Sequence, residues 1–183
     1  MKEIAFEGID NVGKTSIATC IANKLRSEGN VVHIASPFHE AAVDGNELYT
    51  LFTTSPNTAA TAIKLLREAL SRSRKSAADI HANYLLFDRH WMTAKIMAPE
   101  QTLESDGSIP TTVLLVSGDR DLHDMTDNEP WSTVEELDRY QHLYKKLAAC
   151  NFKHILGIYT VEDPPVDIDI VAETILWDER ILR

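Results

Sequence analysis

Gly8-Ile9-Asp10-Asn11-Val12-Gly13-Lys14-Thr15 fits the pattern G-x-x-x-x-G-K-[ST]. Four fixed positions at that spacing arise by chance in a chain of this length less than roughly 1% of the time. The glycines permit a tight turn free of Cβ clashes, so that backbone N–H groups along Gly8, Asn11, Val12, Gly13, Lys14, Thr15 and Ser16 wrap a polyphosphate. A helix starting near Lys14 turns its positive end toward the same anion. The Lys14 ammonium then bridges the β- and γ-phosphates, and the Thr15 hydroxyl is a ligand for Mg²⁺. Asp10 lies inside the loop, where a carboxylate beside a triphosphate is unfavourable unless it has a task. It can accept from a substrate hydroxyl, hold a water on the metal, or brace the turn. Asp88-Arg89 is a second candidate pair. A carboxylate at the carboxyl end of a strand is well placed for a metal, and the adjacent guanidinium offers a fork matched to phosphate. The alternative is a local ion pair at a helix start.

The elements that must hold these groups alternate in type. Lys2 to Glu7, Val31 to Ala35, Tyr84 to Phe87, Thr112 to Val116 and Ile155 to Tyr159 are short apolar runs that predict five strands. Ile17, Ala18, Ile21, Ala22 and Leu25 recur at helical spacing from Lys14 to Glu28, and Gly29-Asn30 stops them. A long helix is predicted over roughly Thr58 to Ile80, and a last one after Pro164-Pro165 through Leu176. Ser132-Thr133-Val134-Glu135 reads as a capping box opening a helix that carries Leu137, Tyr140, Tyr144 and Leu147, which is expected to pack on the sheet without chemistry. Strands apolar almost throughout imply helices on both faces. The expected fold is α/β: a three-layer α/β/α sandwich on a five-stranded parallel sheet, the P-loop NTPase fold, with one domain over 1–183 and a short lid at about 119–133. Pro99 to Pro110 reads as a surface loop.

The composition of the 183 residues is that of an ordinary globular chain, 44% hydrophobic and 25% charged. A net charge of −10 argues against bulk nucleic acid as a partner. No apolar run approaches the roughly 20 residues that cross a bilayer, and Met1-Lys2-Glu3 does not open a signal peptide. A cytoplasmic protein without membrane attachment is expected, with Cys20 and Cys150 as buried reduced thiols. None of the seven histidines forms a metal-ligand pattern.

From Phe6-Glu7-Gly8 through Lys14-Thr15 the chain resembles the thymidylate kinase family, whose loop reads much like F-E-G-x-D-x-x-G-K-[ST]. Asp88-Arg89-His90 strengthens the likeness, since that family has D-R followed by Tyr or His after the corresponding strand. The resemblance implies transfer of the ATP γ-phosphate to a deoxynucleoside monophosphate, with Mg²⁺, on a homodimer. It implies Lys14, Asp10 and Arg89 as catalytic residues, with Asp10 near the acceptor sugar hydroxyl. It also implies Arg89 on the acceptor phosphate and Asp88 orienting Mg²⁺ through water, beside Thr15. ATP and a small nucleotide acceptor are the expected partners.

The departures fall on the acceptor side. Where the family has R-E-P-G, this chain has Ala35-Ser36-Pro37-Phe38, keeping only Pro37 and lacking an acceptor-site arginine. Leu65-Leu66 resembles the family's L-L-F, but Arg67 stands where a Phe stacks on the base, and Ser71-Arg72 stands around the base-reading Arg. Arg67, Arg72, Arg74 and Lys75 concentrate positive charge on one helix, either for an acceptor phosphate or anionic base substituent or as a solvated face. Arg72, then Arg67, are the substrate-binding candidates. Asn11 removes an arginine within the loop, which leaves Arg120, Arg139 or the Arg67–Arg74 helix to cover the transferring phosphoryl. Trp91 is expected beside the acceptor pocket, and Trp131 and Trp177 in the core or a dimer face. Three functions follow: a kinase for dTMP or a related pyrimidine nucleotide, modified or not; a kinase for a deoxynucleoside or other small hydroxyl acceptor; and a nucleotide-hydrolysing sensor. A guanine-reading N-K-x-D is absent from the chain.

Overall fold

The computed structural model describes residues 1–41, 45–101, 103, 109–118, 134–162 and 166–178. Five strands form one sheet: β1 (Lys2–Glu7), β2 (Val32–Ala35), β3 (Tyr84–Asp88), β4 (Thr111–Ser117) and β5 (Ile155–Val161). They pair in the order β2-β3-β1-β4-β5, every pair parallel. Parallel neighbours need long crossovers, and helices supply them: α1 (Lys14–Ser27), α4 (Pro56–Asp79), α5 (Trp91–Met97) and α6 (Val134–Cys150), while α7 (Val166–Leu176) follows the last strand. Two short helices, α2 (Pro37–Glu40) and α3 (Gly45–Thr54), occupy the stretch between β2 and α4. The α/β, P-loop NTPase architecture read from the sequence is the one observed.

Side-chain alternation along the strands divides the interior. Ile4 and Phe6 of β1 and Leu86 of β3 pack with Ile17, Ile21 and Leu25 of α1 and with Ala172 and Ile175 of α7. Ala5, Leu85 and Phe87 point the other way, into Leu66 and Leu70 of α4 and Phe52 of α3. β1 and β3 are therefore covered on both faces, which is why their runs are apolar throughout. The edge strand β5 is less covered and leaves Ile158 half exposed.

The sheet's register sets the site. Phe6 pairs with Asp88, and Glu7 pairs with Leu114, so the chain leaves β1 at Gly8 beside the carboxyl ends of both β3 and β4. With β2 and β3 on one side of β1 and β4 and β5 on the other, this is the crevice where ligands bind in such sheets. Gly8 has φ 145°, and a Cβ built on it would lie 2.3 Å from the Leu115 carbonyl oxygen. The approach of the loop to β4 thus requires the absence of a side chain there.

Several expectations need correction. Helices α2, α3 and α5 were not anticipated, because each is short. The long helix begins at Pro56 under a capping box in which Ser55 and Thr58 bond reciprocally. Cys20 is half-buried and Cys150 exposed, so the thiols are free but not both interior. Trp177 is 81% exposed and anchors nothing in the core, whereas Trp91 is buried and donates to Thr112 Oγ1 at 2.8 Å. Trp131, Arg120, Ser132 and the lid at 119–133 lie outside the described residues. Substituting Gly8→Ala should lower the melting temperature by roughly 5–10 °C, the effect of overpacking against fixed backbone. Differential scanning calorimetry showing an unchanged transition would refute this account of the turn.

Candidate active site

Helix α1 starts without a cap. Its N-cap residue is Gly13, at φ 89°, which has no side chain to cap the turn, and the first turn carries no acidic residue. Two other helix starts differ: Ser55 caps α4, and the Glu7 carboxylate closes α5. A helix start behind a glycine turn is an arrangement suited to binding an anion. Lys14 is buried beneath the loop, and its ammonium donates to the Ile9 carbonyl at 2.6 Å. Thr15 Oγ1 donates to Asp88 Oδ2 at 2.5 Å, tying the first turn of α1 to the end of β3.

Arg89 sits deeper. It has φ 68°, an uncommon conformation for a side-chain-bearing residue and one that costs of order 1 kcal/mol. Its Nη2 pairs with Asp10 Oδ1. Its Nη1 donates to the Gly8 carbonyl at 3.0 Å and to the Tyr144 hydroxyl at 3.2 Å. Beneath it lies Glu7, fully buried. The Glu7 carboxylate accepts from the backbone N–H groups of His90 (2.9 Å), Met92 (2.8 Å) and Thr93 (3.3 Å), and from the Thr93 hydroxyl at 2.6 Å. Burial raises the Glu7 pKa above its ordinary value, while the Thr93 hydroxyl, the Arg89 charge and the backbone donors pull it back.

Two clefts open from this centre. The first is lined by Asn11, Gly13, Lys14, Thr15, Ser16 and Asp88, with Phe38, His39 and Ile168 at its rim. The second is lined by Ile9 of the loop, Tyr49 of α3, Thr93, Ile96 and Met97 of α5, and Leu137, Tyr140 and Tyr144 of α6. Asp10 and Arg89 line both. One wall is loop backbone with Lys14 and Arg89; the other is hydrocarbon and phenol.

The loop residues and Asp88-Arg89 named from the sequence thus converge at one point. Arg67 and Arg72 do not: neither lines either cleft. Arg72 is exposed and donates to the Glu40 carbonyl at the end of α2 at 3.0 Å, and Arg74 grips Glu3 through two bonds of 2.8 and 2.9 Å. Pro37 is the buried first residue of α2, and it is the following Phe38 and His39 that face the phosphate cleft. Arg139 is exposed on α6. The expectation that α6 carries no chemistry needs correction, because Leu137, Tyr140 and Tyr144 form its wall on the second cleft. Their i, i+3, i+7 spacing was visible, but a core-facing stripe and a cleft-facing stripe are identical in sequence. Thr93 and Tyr49 carried no signal of their own, and Glu7 stood out only as part of the Phe6-Glu7-Gly8 run.

The oxygen set of Thr15 and Asp88 fits a hard divalent cation. Magnesium is ordinarily held by one or two protein oxygens together with phosphates and water, not by a complete protein cage. Accordingly, no group of three metal-ligating side chains occurs among the described residues. No described helix is long and apolar enough to cross a membrane.

No family model matches the sequence, and no curated protein matches it. Solved structures do match. The thymidylate kinase from Candida albicans superposes with a TM-score of 0.60 at 17% identity, covering 99% of this chain and 91% of that one. The thymidylate kinase from Ehrlichia chaffeensis gives 0.62 at 18% identity, covering 100% of this chain and 98% of that one.

His90, the next residue after Arg89, supplies a test of this interior. Its ring is buried against Phe87 with both nitrogens unpartnered among the described residues. Burial, aided by the Arg74 charge, depresses its pKa to about 3. As pH falls below 6.5 the unfolded chain binds a proton that the folded ring refuses. Stability is therefore lost on acidification, by up to about 1.4 kcal/mol per pH unit, until pH nears 3. Urea unfolding at pH 7 and pH 5 should show a smaller loss for His90→Phe than for the native chain, with Glu7 common to both. Equal losses would contradict it. The chain has the fold of the thymidylate kinases, over nearly its whole length.

Proposed function

We propose that the protein is a phosphotransferase that moves the γ-phosphoryl group of ATP to a deoxynucleoside monophosphate, dTMP or a related pyrimidine nucleotide. The observation that carries this reading is the pair of clefts meeting at Asp10 and Arg89. A hydrolase or sensor needs only the phosphate cleft; a second pocket walled by Tyr49, Leu137 and Tyr140 suits the base and sugar of an acceptor. The fold shared with two thymidylate kinases supports the same choice.

In this reading the loop N–H groups and the open start of α1 bind the donor's phosphates, and Lys14 leaves the Ile9 carbonyl for the β- and γ-oxygens. Thr15 and Asp88 would hold Mg²⁺, which would supply charge neutralisation on the phosphates. Arg89 orients the acceptor phosphate for in-line attack, and Asp10 positions the acceptor from the loop side. Burial of Arg89 at the back of the crevice keeps water from it and strengthens its electrostatics.

Purified protein with ATP and Mg²⁺ should release ADP when given a deoxynucleoside monophosphate and not when given the matching nucleoside. Arg89→Ala should raise the acceptor KM and lower kcat together. Turnover with no nucleotide at millimolar concentration would overturn the assignment, and turnover with nucleosides alone would move it to a nucleoside kinase. The apolar and phenolic wall also sets an expectation for base choice. A single methyl group in such a pocket is worth roughly 10–200-fold, so kcat/KM for dTMP should exceed that for dUMP by no more than this. A larger ratio would overturn the reading of this wall as a simple apolar surface for the 5-methyl group, since the two bases present the same hydrogen-bonding edge. The Candida albicans enzyme, for comparison, is broad in substrate specificity.

A further inference from the structure

Tyr144 lies on α6, yet its hydroxyl reaches the guanidinium that joins the two clefts. It is buried, 3.2 Å from Arg89 Nη1 and 2.6 Å from Thr93 Oγ1. The direction of these bonds can be worked out. Thr93 has one hydroxyl proton, and the Glu7 carboxylate, which already accepts three backbone N–H groups, takes it at 2.6 Å. Thr93 Oγ1 is then left as an acceptor toward Tyr144, so the phenolic proton points to Thr93. The remaining phenolic lone pair faces Arg89 Nη1, which donates to it. The chain of donors runs one way, from Arg89 to Tyr144 to Thr93 to Glu7, and a longer bond of 3.4 Å runs in the same direction from Arg89 Nη1 to Thr93 Oγ1.

We propose that Tyr144 is a positioning residue for Arg89, holding the guanidinium in the plane it needs for the acceptor phosphate through a one-way relay anchored on Glu7. The Gly8 carbonyl and Asp10 fix the guanidinium from the loop side, and both belong to a segment that must also wrap the donor. Tyr144 and Thr93 fix it from α6 and α5, independently of that loop. The relay also links Arg89 to the helix whose earlier turns, at Leu137 and Tyr140, wall the acceptor cleft. Closing that wall on a base and aligning the arginine are therefore coupled through one rigid helix. This inference rests on the reading of Arg89 as the acceptor-phosphate ligand.

The test is Tyr144→Phe, which keeps the ring in the cleft and removes only the hydroxyl. The acceptor KM should rise about tenfold or more, the scale of a hydrogen bond to a charged group, with the KM for ATP unchanged. Combined with Arg89→Ala, the same change should add less than twofold. Thr93→Val should reproduce the effect in part, and Thr93→Ser should restore native values. A structural role alone would shift the melting temperature without separating the two KM values. An acceptor KM unmoved by Tyr144→Phe, or an equal rise in both backgrounds, overturns the proposal. A readout free of catalysis accompanies it: ¹⁵N spectra should show the two Arg89 Nη resonances resolved in the native chain and averaged in Tyr144→Phe. Resonances already averaged in the native chain overturn the relay. Resolved resonances in a chain that phosphorylates no nucleotide would instead uphold the positioning and sink the kinase reading.

Discussion

The organisation of this molecule depends on a positive group buried between negative ones. Arg89 lies almost out of solvent, in contact with Asp10, above a Glu7 that is wholly enclosed. Charges in an apolar interior are tolerated only when paired and hydrogen-bonded, and here each has its partners. Glu7 has four donors, and Arg89 has the loop carbonyl, the Asp10 carboxylate and the Tyr144 hydroxyl. Removing one member leaves another exposed to the full cost of burial without compensation. The cluster therefore binds the end of β1, the end of β3, the start of α5 and the middle of α6 into one unit.

That cluster also explains which helix start is open. Glu7 closes α5, and Ser55 closes α4, so their N–H groups are satisfied within the protein. At α1 the glycine turn forbids a capping side chain, and the loop carries no first-turn acid. The Thr15–Asp88 bond keeps two oxygens together at its edge, where a cation accompanying the phosphates would need them.

The second cleft is built differently. Its walls come from α3, α5 and α6, elements separated by long stretches of chain, and its lining is mostly hydrocarbon and phenol. The arginines of α4, which look in sequence like a binding surface, are spent elsewhere: Arg74 on Glu3 and Arg72 on the end of α2. A long helix on a sheet has two faces, and counting its charges does not say which one a cleft adjoins. The thiols teach the same lesson, since Cys150 sits among apolar neighbours in sequence and is exposed in space.

Read alone, the residues disclosed the fold class, the strand set and the glycine turn that opens α1. Those features are local: a strand, a glycine turn and a helix read as consecutive residues, and apolar runs reveal strands covered on both sides. Asp88-Arg89 could be picked out for the same reason, standing at a strand's carboxyl end. Only the tertiary structure decided that Glu7 lies beneath Arg89, that Tyr144 and Thr93 complete its shell, and that α6 walls a cleft. These facts depend on the parallel register that brings Phe6 beside Asp88 and on the packing of α6 against α5 and β4. A buried carboxylate's partners are fixed by three-dimensional proximity across some 80 residues of chain, for which one-dimensional spacing carries no signal.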